Sequence, residues 1–402
     1  MRLRRYLRPG KPGKKYPRIQ RIQRHTVYGA YGGRRRPSGF LVAFYVLAAV
    51  VIVAALASYL RTGQFAFWEP GAFSGVASTD AAREAAWAPE ALGRDFVIMD
   101  PYNVPGEYYK AQLHAHTTRS DGKMGVADVI KAYEDRGFKF LAITDHDKVF
   151  DPASPDVSGV PGLNSANSKI MIIPGEEHTI PYIFWPLGHH MLRLFVTSRT
   201  RERTAQAIVD STQGEGGLAI PCHPSWTGNL GTGEWTGDDL VGLSGYRLME
   251  IYNFHSDTGK NIQRWHVVSR SRGPGSPVWG IAVDDSHEEG HIGLGWVMIK
   301  ARAFSLDAAR EALSGGHFYA TTGPTVEFGV EGRRIFARAV GEKVDIRFIN
   351  LENKPVAVFR SVSEASYEPD GGEGFVRVEV MGSNGRMAWS QPFWLLGAPL
   401  EH

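Results

Sequence analysis

LHAHTTRSDG, Leu113 to Gly122, sets two histidines one residue apart and an acid five residues after the second. In a β-strand the side chains of residues i and i+2 leave on the same face. His114 and His116 on one strand therefore present both imidazoles to one side, within reach of a shared metal ion. A pair of surface histidines on an exposed strand has the same spacing, so the neighbouring sequence must discriminate.

Outward from this stretch the pattern alternates. AQLHAH (111–116) reads as a strand and MGVADVIKAYEDRG (124–137) as an amphipathic helix ending at Gly137. FKFLAITDHD, KIMIIPGEEHT, LAIPCHPSW, YRLMEIYN and VWGIAVDDSH read as strands running out into polar ends, with TAQAIVDSTQGEGG and SLDAAREALSGG as helices. Strands separated by helical patterns predict a parallel sheet or barrel. Nearly every strand ends in His, Asp or Glu, at the edge where such folds build their sites. Beyond about 324, VDIRFIN, VAVFRSV and the segment around Asn384–Gly385 alternate apolar and polar residues, which predicts a small antiparallel β-domain.

The N-terminal part has a different texture. Residues 1–36 hold thirteen Lys and Arg and no acid, which leaves a net −10 in the rest of a chain whose total is +3. Phe40 to Leu60 is 21 residues without a charge. As a helix it is about 31 Å long, matching a hydrocarbon core of about 30 Å. Ala55–Ala57 resembles a signal-peptidase site, but the long basic region and the length of the apolar run favour an uncleaved anchor. Arg34, Arg35 and Arg36 place the tail in the cytoplasm of a bacterial cell and everything after Arg61 outside. Topology and anionic lipid account for the basic tail, so nucleic acid is not favoured as a partner. Cys222 is the single cysteine, which excludes an intramolecular disulfide. The expected organisation is a tail (1–39), a transmembrane anchor (40–60), a lead-in (61–107), a barrel (108–323) and a β-domain (324–402).

Eleven of the fourteen histidines fall between 114 and 291. The polar strand ends collect His114, His116, Asp145, His146, Glu176, Glu177, His189, His190, His223, Asp284, Asp285 and His287. Imidazole with carboxylate and no thiolate suits Zn, Mn or Fe. One catalytic ion needs about three protein ligands, so a set of about nine suffices for two or three ions sharing a carboxylate.

LHAHTTRSDG, LAITDHD, IPGEE, AIPCHP and AVDDSH, in this order, resemble the PHP (polymerase and histidinol phosphatase) superfamily of metal-dependent hydrolases over about residues 110–290. The resemblance implies a distorted (β/α)7 barrel with up to three metals at the strand ends. It implies that His114, His116, Glu177 and Asp285 hold one metal, that Glu177 bridges to a second completed by His190 and His223, and that Asp121, His146 and His287 hold a third. Glu177 is preferred to Glu176 from the family's spacing after Gly175, His190 to His189 from the HM that follows, and Asp285 to Asp284 from Asp-x-His. His178 and His291 are expected outside the ligand set, Cys222 as buried packing, and Glu250 and Asn253 as substrate-facing, supporting or merely strand-ending residues. ALSGGHFYATTGP (312–324) and the β-rich segment after it are similar to the carbaryl-hydrolase-like branch.

The function implied is that of a membrane-anchored phosphoesterase acting through metal-activated water on a phosphoester or other small molecule. Asp145 is read as an acid that supports the ligands or caps its strand rather than as a ligand; it or a site histidine is a candidate for protonating the leaving oxygen, and Arg119 for steadying a phosphate oxygen. A carboxylic or carbamic ester hydrolase and a non-catalytic metal-binding surface protein are the alternatives.

Overall fold

The computed structural model describes residues 95–397 other than 162, 164–168 and 182–186. The tail 1–39, the anchor 40–60 and residues 61–94 of the lead-in lie outside the described residues. Among those described, no helix is long and apolar enough to cross a membrane.

The fold is mixed α/β, with few helices and many strands. In chain order its first part runs β1 (Phe96–Met99), β2 (Glu107–Gln112), α1 (Val126–Asp135), β3 (Phe140–Ala142), β4 (Met171–Ile173), β5 (Gly175–Pro181) and β6 (Gly188–Leu194). Then come α2 (Ala205–Gly214), β7 (Leu218–Pro221), the short helices α3 (Gly228–Gly231) and α4 (Gly237–Gly242), and β8 (Leu248–Asn253). α5 (Thr258–Arg272), β9 (Trp279–Val283), β10 (Trp296–Ala301), α6 (Leu306–Gly315) and β11 (Phe318–Thr321) follow. The remainder is all strand: β12 (Val326–Glu331), β13 (Arg334–Ala339), β14 (Val344–Asn350), β15 (Pro355–Val362), β16 (Glu364–Tyr367), β17 (Phe375–Gly382), β18 (Met387–Trp389) and β19 (Phe393–Gly397).

The helices form where the sequence provides a stripe, a cap or both. α1 buries Val129, Ile130, Ala132 and Tyr133, spaced three and four apart. Thr204, Asp257 and Ser305 accept from the first-turn N–H groups of α2, α5 and α6, which would otherwise be orphaned. Thr236 and Asp239 close a reciprocal capping box on α4.

β2, β3 and β4 are parallel, in register at Ala111↔Phe140 and Phe140↔Met171. β8 and β9 are also parallel, and a bridge between Ala115 and Ser286 joins the extensions of β2 and β9. Phe140, Ile173, Leu192, Ile220, Leu248 and Ile281 pack into one buried core between these strands.

Three features differ from a regular (β/α)7 repeat. KIMIIPGEEHT is two strands, because Pro174 has no N–H to give a ladder. β5, β6 and β7 then pair antiparallel, so no helix separates β5 from β6: an antiparallel return needs no crossover. Finally, the β-rich C-terminal part shares a sheet with β2, β3 and β4. β10 pairs antiparallel with β2 and β11, β11 pairs with β18, and the path continues through β17 and β19 to β1. Phe96–Met99, inside the segment read as a lead-in, is thus a strand of the folded unit.

Candidate metal centre

The ligand-bearing segments begin where the strands stop. β2 ends at Gln112, and its extended continuation carries His114 and His116. The buried Gln112 side chain holds that continuation: its Oε1 accepts from the N–H of Leu113 (2.9 Å), His114 (3.1 Å) and Asp284 (3.2 Å). The turn after His116 packs so tightly that a Cβ on Gly122 would come within 2.7 Å of the His116 backbone, which explains the glycine of SDG. On the β5–β6 hairpin, Glu177 lies opposite Leu192 and Thr179 opposite His190, making Glu177 and His190 diagonal neighbours on one face. His146 joins them through an isolated bridge to Glu177. His223 (φ +29°) and Asp285 (φ +51°) sit in left-handed backbone, a strain characteristic of functional strand ends.

Glu177 is the centre of the arrangement. Its Oε2 lies 3.1 Å from His114 Nε2, 3.0 Å from His116 Nε2 and 3.3 Å from His146 Nδ1. Its Oε1 lies 2.9 Å from His190 Nδ1 and 3.0 Å from His223 Nε2. Asp285 Oδ1 approaches His114 Nε2 at 3.4 Å and His116 Nε2 at 3.2 Å. Asp121 Oδ2 lies 3.5 Å from His146 Nε2 and 3.3 Å from His287 Nε2. Three overlapping groups result, each compact enough for one ion: His114–His116–Glu177–Asp285, His146–Glu177–His190 and His116–Asp121–His146–His287.

Two observations fit these groups to cations. His114 faces Glu250 Oε1 through Nδ1 at 2.7 Å, and in the neutral ring, with that nitrogen donating, Nε2 carries the lone pair. The lone pair is aimed at His116 Nε2 (3.1 Å) and at two carboxylates, a repulsive gathering unless a cation lies among them. Moreover, His146 Nδ1 and His190 Nδ1 are buried and near Glu177, yet neither makes a hydrogen bond among the described residues. Such nitrogens are costly unless they bind something.

Electrostatics says the same. Burial opposes charge on His114 and His116, but Asp285 and Glu177 outweigh it, pushing His116 up to about 10 and His114 well above the usual imidazole range. Burial likewise works to raise Glu177 and Asp285, yet the surrounding imidazoles hold both carboxyls well below theirs. Positive charge belongs at this place, either as protons or as metal.

No family model matches the sequence, and no curated protein does. Among solved structures, similarity extends to a two-domain protein from Bacteroides vulgatus containing a predicted PHP-like metal-dependent phosphoesterase, with 14% identity over 70% of this chain and 94% of that one (TM-score 0.40). PsfC from Pseudomonas syringae matches at 11% identity over 53% of this chain and 90% of that one (TM-score 0.39). The lesion-specific endonuclease PfuEndoQ from Pyrococcus furiosus matches at 14% identity over 52% of this chain and 56% of that one (TM-score 0.37). At these scores the likeness carries no weight of its own; the side-chain geometry does.

All nine residues expected as ligands are gathered here, and their neighbours in sequence are elsewhere. Glu176 turns to the other face of β5 and pairs with Arg193 at 2.6 Å. His189 stacks on Trp235, with ring centroids 4.3 Å apart. Asp284 accepts from the N–H groups of Gly293, Leu294 and Gly295 and from Tyr133 Oη, fixing the loop after the ligand segment; burial raises it to about 6. Cys222 is fully buried beside His114 and Glu250, its thiol pushed up by that burial. His178 faces Asp147 and the Glu202 carbonyl, while His291 and His255 gather beside His287.

The two catalytic candidates are committed to other contacts. Asp145 is fully buried, and both its oxygens are taken by Thr117 N, Thr117 Oγ1 and Ser120 Oγ at 2.7–2.8 Å, so it shapes the ligand loop. The Arg119 guanidinium lies over the Phe150 ring, 5.3 Å from its centroid. Of the three roles open to Glu250 and Asn253, the structure shows the supporting one: Glu250 holds His114, and Asn253 Nδ2 donates to Glu250 (2.8 Å) and Asp285 (3.1 Å). Trp226 and the cations around the cavity were not foreseen. Trp226 packs on His190 and His223, and with Lys148, Arg199, Arg201 and Arg203 it lines an open cavity of about 1400 Å³ at the cluster. These positive charges lie in loops without periodicity, and only their density, RTRER at 199–203, was visible beforehand.

Proposed function

We propose that this chain is a metal-dependent phosphoesterase of the PHP type. The observation that carries the reading is Glu177, whose two oxygens face two separate sets of imidazole nitrogens, the disposition of a carboxylate shared by two ions. His114, His116 and Asp285 with Glu177 Oε2 would hold one divalent ion, His190 and His223 with Glu177 Oε1 a second, and Asp121, His146 and His287 a third. The nitrogen and oxygen donors suit Zn, Mn or Fe. Ions so held supply Lewis acidity: they lower the pKa of water towards neutrality and neutralise charge on an attacked phosphoryl group.

The chain's own residues do the positioning. Glu250 fixes the tautomer and angle of His114, Asn253 aims Asp285, and Asp145 with Thr117 and Ser120 holds the loop that bears Asp121. Trp226 walls the cavity beside His190 and His223. With the cluster's carboxylates neutralised by bound ions, Lys148, Arg199, Arg201 and Arg203 on the cavity wall would favour an anionic phosphoester over a neutral carboxylic or carbamic ester.

The test is metal analysis of the full chain beside Glu177→Gln, both assayed on bis-p-nitrophenyl phosphate, p-nitrophenyl phosphate and p-nitrophenyl acetate. Two or three ions with phosphoester turnover, both falling in the variant, are expected. Turnover of the acetate alone would transfer the site to carboxylic esters, and no metal after resupply of Mn and Zn would overturn the reading. The same proposal takes the apolar stretch 40–60 as a single-pass anchor with the catalytic residues outside the cell membrane. Carbonate-resistant sedimentation with membranes, and protection of the tail from external protease, checks it.

A further inference from the structure

The cavity has a second charged wall that the metal cluster does not use. Arg199, Arg201 and Arg203 lie within one five-residue segment after β6, all three exposed and all three lining the cavity with Lys148. None has a carboxylate within 4 Å among the described residues; the acid in their midst, Glu202, leaves the segment at a net +2. Three guanidiniums this close repel one another, so an extended loop presenting them needs fastening from below.

The fastening is visible and buried. Arg193, fully buried, donates through Nη1 to the Ser198 carbonyl (3.1 Å) and to Glu176, and through Nη2 to Glu215 (2.6 Å); Glu215 in turn accepts from Ser198 Oγ (2.6 Å). Thr200 turns inward, where its Oγ1 accepts from Glu202 N (3.2 Å) and Ser211 Oγ (3.2 Å). His178 Nε2 meets the Glu202 carbonyl at 3.3 Å. The loop is therefore ordered by the protein before anything binds, which lowers the cost of ordering it on a ligand.

Its position decides what it can bind. His178 and Glu176 are on the face of β5 opposite Glu177, because side chains alternate along a strand. The loop backbone is thus anchored on the side of the strand away from the cluster, and among the described residues none of the three arginines makes an ion pair with a cluster carboxylate. They serve a different part of the substrate from the part held at Glu177. Resting on the phosphoesterase reading above, we infer that the substrate is a small molecule with two anionic groups. One is the phosphoester that reacts at the Glu177 cluster. The other is a phosphate or similar anion on the non-reacting portion, held by Arg199, Arg201 and Arg203. Guanidinium groups stay charged at any working pH and match phosphate oxygens in pairs.

The experiment compares hexyl phosphate with hexane-1,6-diyl bisphosphate, which differ only in the second anion, using the full chain in detergent with Mn supplied. The bisphosphate has two equivalent ends, so indifference to the second anion gives a kcat/KM ratio of about two. The expected ratio is about tenfold or more, falling towards two in Arg199→Gln/Arg201→Gln/Arg203→Gln and as salt rises from about 20 to about 500 mM. The Lys triple variant keeps the charge and retains most of the preference, so a Gln variant that fails to fold does not remove the test. A wild-type ratio near two, or the same ratio in a folded Gln variant, overturns the inference. If neither phosphate ester is turned over, the phosphoesterase reading falls by itself. Calorimetry with hexane-1,6-bisphosphonate and hexylphosphonate then decides the loop: tighter binding of the former, lost in the Gln variant, sustains it, and equal binding overturns it.

Discussion

Glu176 and Glu177 are consecutive, both buried, and belong to opposite sides of one strand with opposite solutions to the same problem. On one side Glu176 meets Arg193, a cation supplied by the chain itself and shared with Glu215. On the other, Glu177 meets five imidazole nitrogens within 3.3 Å and no permanent cation among the described residues. The first network has its cation built in, and that cation holds a loop in place through the Ser198 carbonyl. The second is completed only by something from outside. The difference separates a buried ion pair that serves the fold from a buried charge cluster that serves chemistry.

The comparison breaks most readily at Glu177. Glu177→Gln removes the shared carboxylate and should lower phosphoester turnover by about a thousandfold or more, with loss of bound metal and little change in the far-ultraviolet circular dichroism. Glu176→Gln, one residue away, should keep its metal, and metal analysis of the pair is the sharpest contrast available. On the structural side, Arg193→Met leaves Glu176 and Glu215 without their cation and should cost about 3 kcal/mol of stability, read as a lower Tm and denaturant midpoint. Metal content measured in the protein that remains folded should be unchanged. Glu250→Gln frees His114 to rotate and should weaken metal affinity by about 10- to 100-fold without altering the ligand set; competition with a chelator measures it.

The smallest effect concerns His266, which belongs to neither network. Burial, and then the neighbouring Arg377, push it down to about 4, so it is neutral in the folded protein. The unfolded chain binds that proton near pH 6.5, so stability contributed by the neutral ring is full above about 6.5 and declines as pH falls towards 4. His266→Gln should flatten this decline by about 1 kcal/mol at pH 5.5, measured as the difference between variant and wild-type denaturation curves.

Much of this site was legible because its residue types are rare at strand ends and keep their order in the sequence. The strand parity that separates Asp285 from Asp284 is also local information. The roles of Asp145 and Arg119 were not local. Asp145 is bound by Thr117 and Ser120, which lie 28 and 25 residues away, and only the folded chain shows its oxygens to be taken. The antiparallel β6 was hidden for a related reason. GHHMLRL was read only for His190 and its neighbour His189, and a short strand of that length does not state its direction. β1 was invisible because FVIM is too short to alternate, and its partner β19 lies about 300 residues further on.

That pairing has a consequence for how the protein comes into being. Phe96 lies opposite Gly397, and Gln391 exchanges hydrogen bonds of 2.8 Å with both the N–H and the carbonyl of Gly280 in β9, the strand that leads to Asp285 and His287. Residues 280 and 391 must therefore both be present before this fastening of the strand that leads to Asp285 and His287 can form. Closing contacts over so long a separation is slow. A cut that removes Gln391 would loosen the segment of Asp285 and His287 without touching a single candidate ligand.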